Sequence, residues 1–263
     1  VRLMALFNIT EQNRKWWIFA GMSLALAIVF LDQTAIAVAL PPIQKDLAMS
    51  NTMLQWVINS YLAVLAALVM FGGKLGDVVG HKRIFLIGIV IFVFSSISCA
   101  AAHTGLWIVI SRAVQGIGGA FMIPVTGVMV AHAFSHKERG KAMGLYIACA
   151  SIFLTLGPLL SGLLVHYLSW RWVFWINVPI SIISIFLTVI SVPKSEDKRE
   201  NKVLDWKGFI AQSIFISSLV VALIESTNFG WDSPFIISLL IIAAVFAVLF
   251  FIIEKRAVDP IVY

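Results

Sequence analysis

Charge is scarce in this chain of 263 residues: 12% are Asp, Glu, Lys or Arg, against about 25% in soluble domains. That shortage excludes a water-soluble globule, because there is too little polar side-chain surface to cover one. The 60% apolar share and the mean hydropathy of +0.98 lead to the same exclusion, and they exclude disorder as well. Cysteine is nearly absent, and two residues, Cys99 and Cys149, cannot staple a disulfide scaffold. Both lie in apolar runs and read as small apolar residues. The glycine-rich segments lack the GxxxxGK[ST] spacing of a nucleotide-binding loop. Histidine occurs five times, at loops or helix ends; His132 and His136 stand four apart without an accompanying acid or cysteine cluster. No metal site, no cofactor and no enzyme chemistry are therefore expected. The basic balance, pI near 9.5, is spread over loops rather than gathered in a patch, so no nucleic-acid partner is expected either.

What the sequence has instead is long apolar runs. Continuous stretches of ~17–25 residues suit membrane-crossing helices, whereas a barrel strand alternates over about ten. Eight such spans are predicted, at 16–40, 53–73, 84–102, 106–130, 142–165, 172–192, 208–224 and 234–253. The fold class is an all-α polytopic membrane protein. The first stretch is too long for a signal-peptide core and is expected to stay. The polar segment Lys194–Asp205 separates six spans from two. The expected organisation is a tail at 1–15, a six-helix bundle at 16–192, a linker at 193–207, two further helices at 208–253 and a closing segment at 254–263.

Lys and Arg fix the orientation. Sixteen of the nineteen fall on one side of these spans, and only Lys45 and Arg171 on the other. The rule places both ends of the chain in the cytoplasm of a cell that keeps the protein in its inner or plasma membrane. The nine tryptophans lie at or near predicted span ends, where an amphipathic ring suits the interface with membrane lipids.

With these spans, two ionisable residues lie well inside hydrocarbon: Asp32 and Arg112. Each costs on the order of 2.5–3.5 kcal/mol at a helix centre, so an isolated pair of opposite sign asks for a reason. From a rise of ~1.5 Å per residue, Asp32 stands ~24 Å above the basic end of span one and Arg112 ~9 Å below the opposite end of span four. Both sit in the outer half of a core ~30 Å thick, at depths that let them face one polar cavity. Gln115, one turn deeper than Arg112, fits the same cavity, and Thr34 lies beside Asp32.

Glycine and proline are placed unevenly. Gly116, Gly118 and Gly119 in span four let helices approach closely. Gly157-Pro158 and Gly162 fall in span five, where Pro158 frees the carbonyl four residues back. The connection between spans two and three carries Gly73, Gly76, Asp77, Gly80, Lys82 and Arg83. Its glycines permit a tight hairpin, and Asp77 is expected just before a helix start, where its charge suits the N-terminal dipole.

The segment GKLGDVVGHKR resembles the loop signature between helices two and three of the major facilitator superfamily. ISRAVQGIGGAFM is similar to that superfamily's helix-four arginine motif, and LTLGPLLSGLL to its helix-five antiporter motif. LDQTAIAVALP and WRWVFWINVPI resemble motifs of the fourteen-helix drug:proton antiporter branch. The resemblance covers essentially residues 15–260, with Ala37, Phe153 and Ser161 departing from the motifs. It implies a rocker-switch exporter of small lipophilic or cationic substrates, coupled to protons. Asp32 would titrate, aided by Arg112, Gln115 and Thr34, and the Gly73–Arg83 segment would gate the motion. It also implies six more helices, so this chain is expected to be an N-terminal portion whose partner is a C-terminal six-helix bundle. Repeat symmetry within such a bundle makes spans one and four equivalent elements. The competing expectation is an inactive half-transporter, or a scaffold that homodimerises and transports nothing.

Overall fold

The computed structural model describes residues 10–193 and 206–255. Among them no strand occurs, and eight helical stretches are long and apolar enough to cross a membrane. The helices are α1 (Glu11–Asp46), α2 (Asn51–Val79), α3 (His81–Ala100), α4 (Gly105–Ala133) and α5 (His136–Tyr167). They continue with α6 (Trp172–Trp175), which runs through Ile176 into α7 (Asn177–Ser191), then α8 (Trp206–Phe229) and α9 (Pro234–Glu254). Helix is the only open-ended element that meets its own backbone hydrogen bonds in lipid. The starts are written in the sequence: Thr10 and Asn13 form a reciprocal capping box at α1, and Ser50 and Thr104 cap α2 and α4. The linker at Lys194–Asp205, most of the tail and the closing segment lie outside the described residues.

The helices outrun the predicted spans. α1 has 36 residues, about 54 Å of helix, and passes through Pro41 and Pro42. Apolar length reports what lies in hydrocarbon, whereas the hydrogen-bond ladder continues beyond it. The largest departure is at the expected hairpin loop. Gly73 to Val79 are helical, and the turn is a single residue, Gly80, whose φ of 106° favours glycine. Asp77 therefore lies in the last turn of α2 rather than in a loop before α3.

α4 packs between α2 and α3, and α1 between α5 and α7. A Cβ on Gly118 would lie 2.7 Å from the Phe92 nitrogen, and one on Gly116 2.6 Å from the Tyr61 carbonyl oxygen. These two glycines let α4 touch the backbones of both neighbours. The apolar core falls into two clusters. One, around Met22, Phe85, Phe92 and Val125, fills the basic end; the other, around Ile36, Val57, Ile108 and Phe174, fills the opposite end. A polar layer separates them.

α8 joins the bundle through α2, and α9 packs on α8. Phe209 stacks on Phe71 with ring centroids 3.7 Å apart, and at the far end Trp56 Nε1 donates to Glu225 Oε1 at 2.7 Å. Span seven was expected to end at 224. The helix continues to Phe229 and buries Glu225 against α2, which adds a buried acid that the span boundaries had left outside.

Candidate functional site

The polar layer is built from α1, α2, α3, α4 and α7 around Asp32, whose side chain is fully buried. Arg112 Nη1 donates to Asp32 Oδ2 at 2.5 Å, so the two charges that the depth arithmetic brought level meet directly. Gln115 Nε2 and Asn177 Nδ2 donate to the other carboxylate oxygen at 3.1 and 2.9 Å. Arg112 is itself held on three sides. Its Nε donates to the Val57 carbonyl at 3.1 Å, its Nη1 also reaches Gln115 Oε1 at 2.7 Å, and the Tyr61 ring lies 4.4 Å from its guanidinium carbon. Its second terminal nitrogen, Nη2, has no hydrogen-bond partner among the described residues, and the ring offers the guanidinium a cation–π face. Asn177 is steadied by Ser96 Oγ at 3.0 Å, and Ser96 donates to the Phe174 carbonyl at 2.9 Å.

Asp32, Arg112, Gln115 and Asn177 are all 0% exposed. The pair thus meets as expected, but in sealed packing between the two apolar clusters rather than on the wall of an open cavity. The physical reason is satisfaction of the carboxylate. Three donors, one of them the counter-charge Arg112, bond both carboxylate oxygens inside the bundle without solvent. Asn177 was quoted within the WRWVFWINVPI motif but not singled out. A lone amide inside an apolar span was the signal that could have found it.

Thr34 is not brought to Asp32. Its hydroxyl donates to the Leu154 carbonyl at 2.9 Å, the same carbonyl that Pro158 frees in α5. A Cβ on Gly157 would run into Thr34 Oγ1, so glycine there is what lets the two helices close. Ser161, a departure from the motif, donates to the Ala35 carbonyl at 2.7 Å and fastens the same pair of helices. Among the described residues Gly162 has nothing within 4 Å of where a Cβ would stand, so it is not a close-packing contact there.

At the basic end, Gly76 packs α2 on Val125 of α4, and Gly73 lies against Pro124. Asp77 Oδ1 stands 3.2 Å from His81 Nε2. Lys82 Nζ donates to the Val189 and Val192 carbonyls, capping the end of α7 where the helix dipole is negative. Arg83 is exposed. At the opposite end Arg171 Nη1 and Trp170 Nε1 donate to Asp46 Oδ2 at 2.7 and 3.0 Å, and together they hold that carboxyl below its usual range.

These features define a multi-pass helical membrane protein: a bundle closed around the buried Asp32–Arg112 pair, with two further helices alongside. The family model for the Major Facilitator Superfamily matches residues 22–253, and the chain belongs to that superfamily. It is 36% identical over 253 residues to Multidrug resistance protein 3 of Bacillus subtilis, covering 96% of this chain and 49% of that protein. It is 34% identical to Puromycin resistance protein pur8 of Streptomyces alboniger over 251 residues, 94% of this chain and 49% of that one. With Multidrug resistance protein Stp of Mycobacterium tuberculosis the figure is 37% over 238 residues, 90% of this chain and 44% of that protein. The chain therefore spans about half the length of the curated relatives it matches. A crystal structure of the peptide transporter POT in complex with sulfate shares the fold, with a TM-score of 0.68 at 16% identity, covering 94% of this chain and 53% of that one.

Proposed function

We propose that this chain supplies the proton-coupled half of an efflux transporter that exchanges protons for small lipophilic or cationic molecules by alternating access. The observation that carries the reading is the Asp32–Arg112 pair, fully buried and contacting at 2.5 Å. Removing one partner of such a pair costs about 3–5 kcal/mol, because a charge is left buried and unpaired. Protonation of Asp32 is a removal of that kind. It withdraws the counter-charge from Arg112, whose remaining partners are a carbonyl, an amide oxygen and an aromatic face. A shift of about 3–5 kcal/mol is enough to carry a two-state bundle from one dominant packing to the other.

Substrate contact belongs to a different surface. A groove of about 200 Å³ between α1, α4 and α5 is lined by Leu26, Phe30, Ile123, Tyr146 and Leu154. Its apolar and aromatic lining suits a lipophilic molecule. It lies on the opposite side of α1 from the packing on α7, so substrate and proton act on one helix from two faces. Thr34, Gly157 and Pro158 clasp α1 to α5 and make them move together. Gly73, Gly76, Asp77, Gly80, Lys82 and Arg83 form the hinge at the cytoplasmic face, which meets a second six-helix bundle such as the remaining length of the relatives supplies. Multidrug resistance in the names of two relatives supports drugs as the substrate class.

The test is substrate-driven proton movement in proteoliposomes, with the chain alone and with the C-terminal half of a full-length relative. Lipophilic cations should drive proton exchange only when both halves are present, and Asp32→Asn should abolish it. Undiminished exchange in Asp32→Asn removes Asp32 from the role. No exchange with either arrangement favours the inactive half-transporter or scaffold.

A further inference from the structure

α7 is inverted relative to a helix in water. Ile182, Ile183, Phe186 and Val189 face outward, whereas Ser181, Ser184, Thr188 and Ser191 are each 0% exposed. With Asn177 they recur at steps of three and four residues, so they share one helix face. That face runs about 21 Å from Asn177 to Ser191. At its upper end is the amide that donates to Asp32 Oδ1 at 2.9 Å. Its lower end stops beside Val192 and Pro193, which line a cavity of about 460 Å³ at the basic end of the bundle.

Close packing accounts for part of this face. Ser184 Oγ donates to the Gly21 carbonyl at 2.7 Å, and a Cβ on Gly21 would stand 3.3 Å from Thr188 Oγ1. Packing does not account for the top of it. Ser181 Oγ and Asn177 Oδ1 are both buried, one helical turn apart, and neither has a hydrogen-bond partner among the described residues. Alanine at 181 would pack as closely and leave no hydroxyl unbonded. Two orphaned polar atoms on the turn beside a buried carboxylate suit bridging water.

We propose that this hydroxyl face is the route by which the proton on Asp32 reaches the cytoplasmic side, running behind the substrate groove instead of through it. The inference rests on the reading that Asp32 titrates. The O–H bond of protonated Asp32 breaks, and the proton passes to water held by Asn177 Oδ1 and Ser181 Oγ. Ser184, Thr188 and Ser191, which donate to the Gly21, Ser184 and Leu187 carbonyls at rest, turn their O–H bonds toward the water between them, and each hydroxyl then takes one proton on a lone pair and releases its own. No intermediate group changes net charge, and the last proton leaves to water in the cavity. The carboxylate left behind pairs again with Arg112. Arg112 from α4, Tyr61 from α2 and Cys99 from α3 are the titratable groups that face Asp32, and α7 presents the neutral Asn177. At the mouth stand Glu11, Arg14, Lys15, His81, Lys82 and His132. Substrate can then occupy the groove without blocking proton release.

The experiment follows the protonated-carboxyl infrared band of Asp32, assigned by its loss in Asp32→Asn, after a pH jump on the cytoplasmic side of proteoliposomes holding the chain. Ser181→Ala combined with Ser184→Ala should slow deprotonation on the order of tenfold or more, while Ser181→Thr, which keeps the hydroxyl, should retain the rate. If the double variant fails to fold, Ser181→Ala alone carries the same expectation. Wild-type rates in alanine variants whose Asp32 still titrates overturn the inference and leave the proposed function standing. An Asp32 band that never changes with pH overturns both.

Discussion

Neutralising Asp32 is the sharpest perturbation of this bundle. Asp32→Asn keeps the side-chain shape but removes the counter-charge of a fully buried guanidinium and turns one of two acceptor oxygens into a donor. That oxygen pair now accepts from Arg112 at 2.5 Å, Gln115 at 3.1 Å and Asn177 at 2.9 Å, so at least one of the three contacts becomes donor against donor. The expected loss is about 3–5 kcal/mol, the range for orphaning one partner of a buried pair. Arg112→Met alone should cost a similar amount, since it leaves the carboxylate uncompensated. The double variant Asp32→Leu/Arg112→Met should recover most of it, because apolar replacement of a whole buried pair is often neutral. Reversible unfolding of the chain in mixed micelles, titrated with a denaturing detergent, reads all three, together with Asp32→Leu alone, which closes the double-mutant cycle with Arg112→Met. A coupling energy of about 0.5 kcal/mol or less between the two positions refutes the reasoning, since groups in direct contact couple by about 0.5–3 kcal/mol.

Other contacts give equally direct tests by the same measurement. Thr34→Val leaves the Leu154 carbonyl, already freed by Pro158, without a donor, and should cost about 1–3 kcal/mol, with Thr34→Ser restoring most of it. Gly157→Ala forces a methyl onto Thr34 and should cost about 1–3 kcal/mol, relieved in part by Thr34→Ala. Glu225→Leu strands the part-buried Trp56 indole N–H and should cost about 1–3 kcal/mol, while Glu225→Gln keeps an acceptor and should cost less. Asp46, beyond the apolar run of α1, has its pKa lowered from 3.8 by Arg171 and Trp170. Its contribution is present above the unfolded value and is lost as pH falls through the lower folded one, so Arg171→Gln should weaken stability at neutral pH and flatten that acid limb.

Much of the site was legible because charge in lipid is expensive. Two opposite charges at matching depth on spans one and four had few arrangements open to them other than meeting, and Gln115 followed from its spacing to Arg112. Thr34 was misplaced by reading neighbours along the chain as neighbours in space. In a helix the residue two positions on points to the other side, and here it answers the carbonyl that Pro158 releases. The segment Gly73–Arg83 was read as a loop because its glycines permit a tight hairpin. In a bundle its glycines are contact points on α4, and only Gly80 makes the turn.

The sequence by itself determined that this chain is a multi-pass helical protein, where its long apolar runs fall and which end of them is basic. Each of these follows from transfer free energies that depend on composition along a line. Only the tertiary structure decided that the ion pair is sealed rather than open to a chamber, that Asn177 of α7 completes it, and that Glu225 anchors the outer pair of helices to α2. Those outcomes depend on which helix faces turn toward one another, and side-chain orientation about a helix axis is set by packing across helices far apart in the chain.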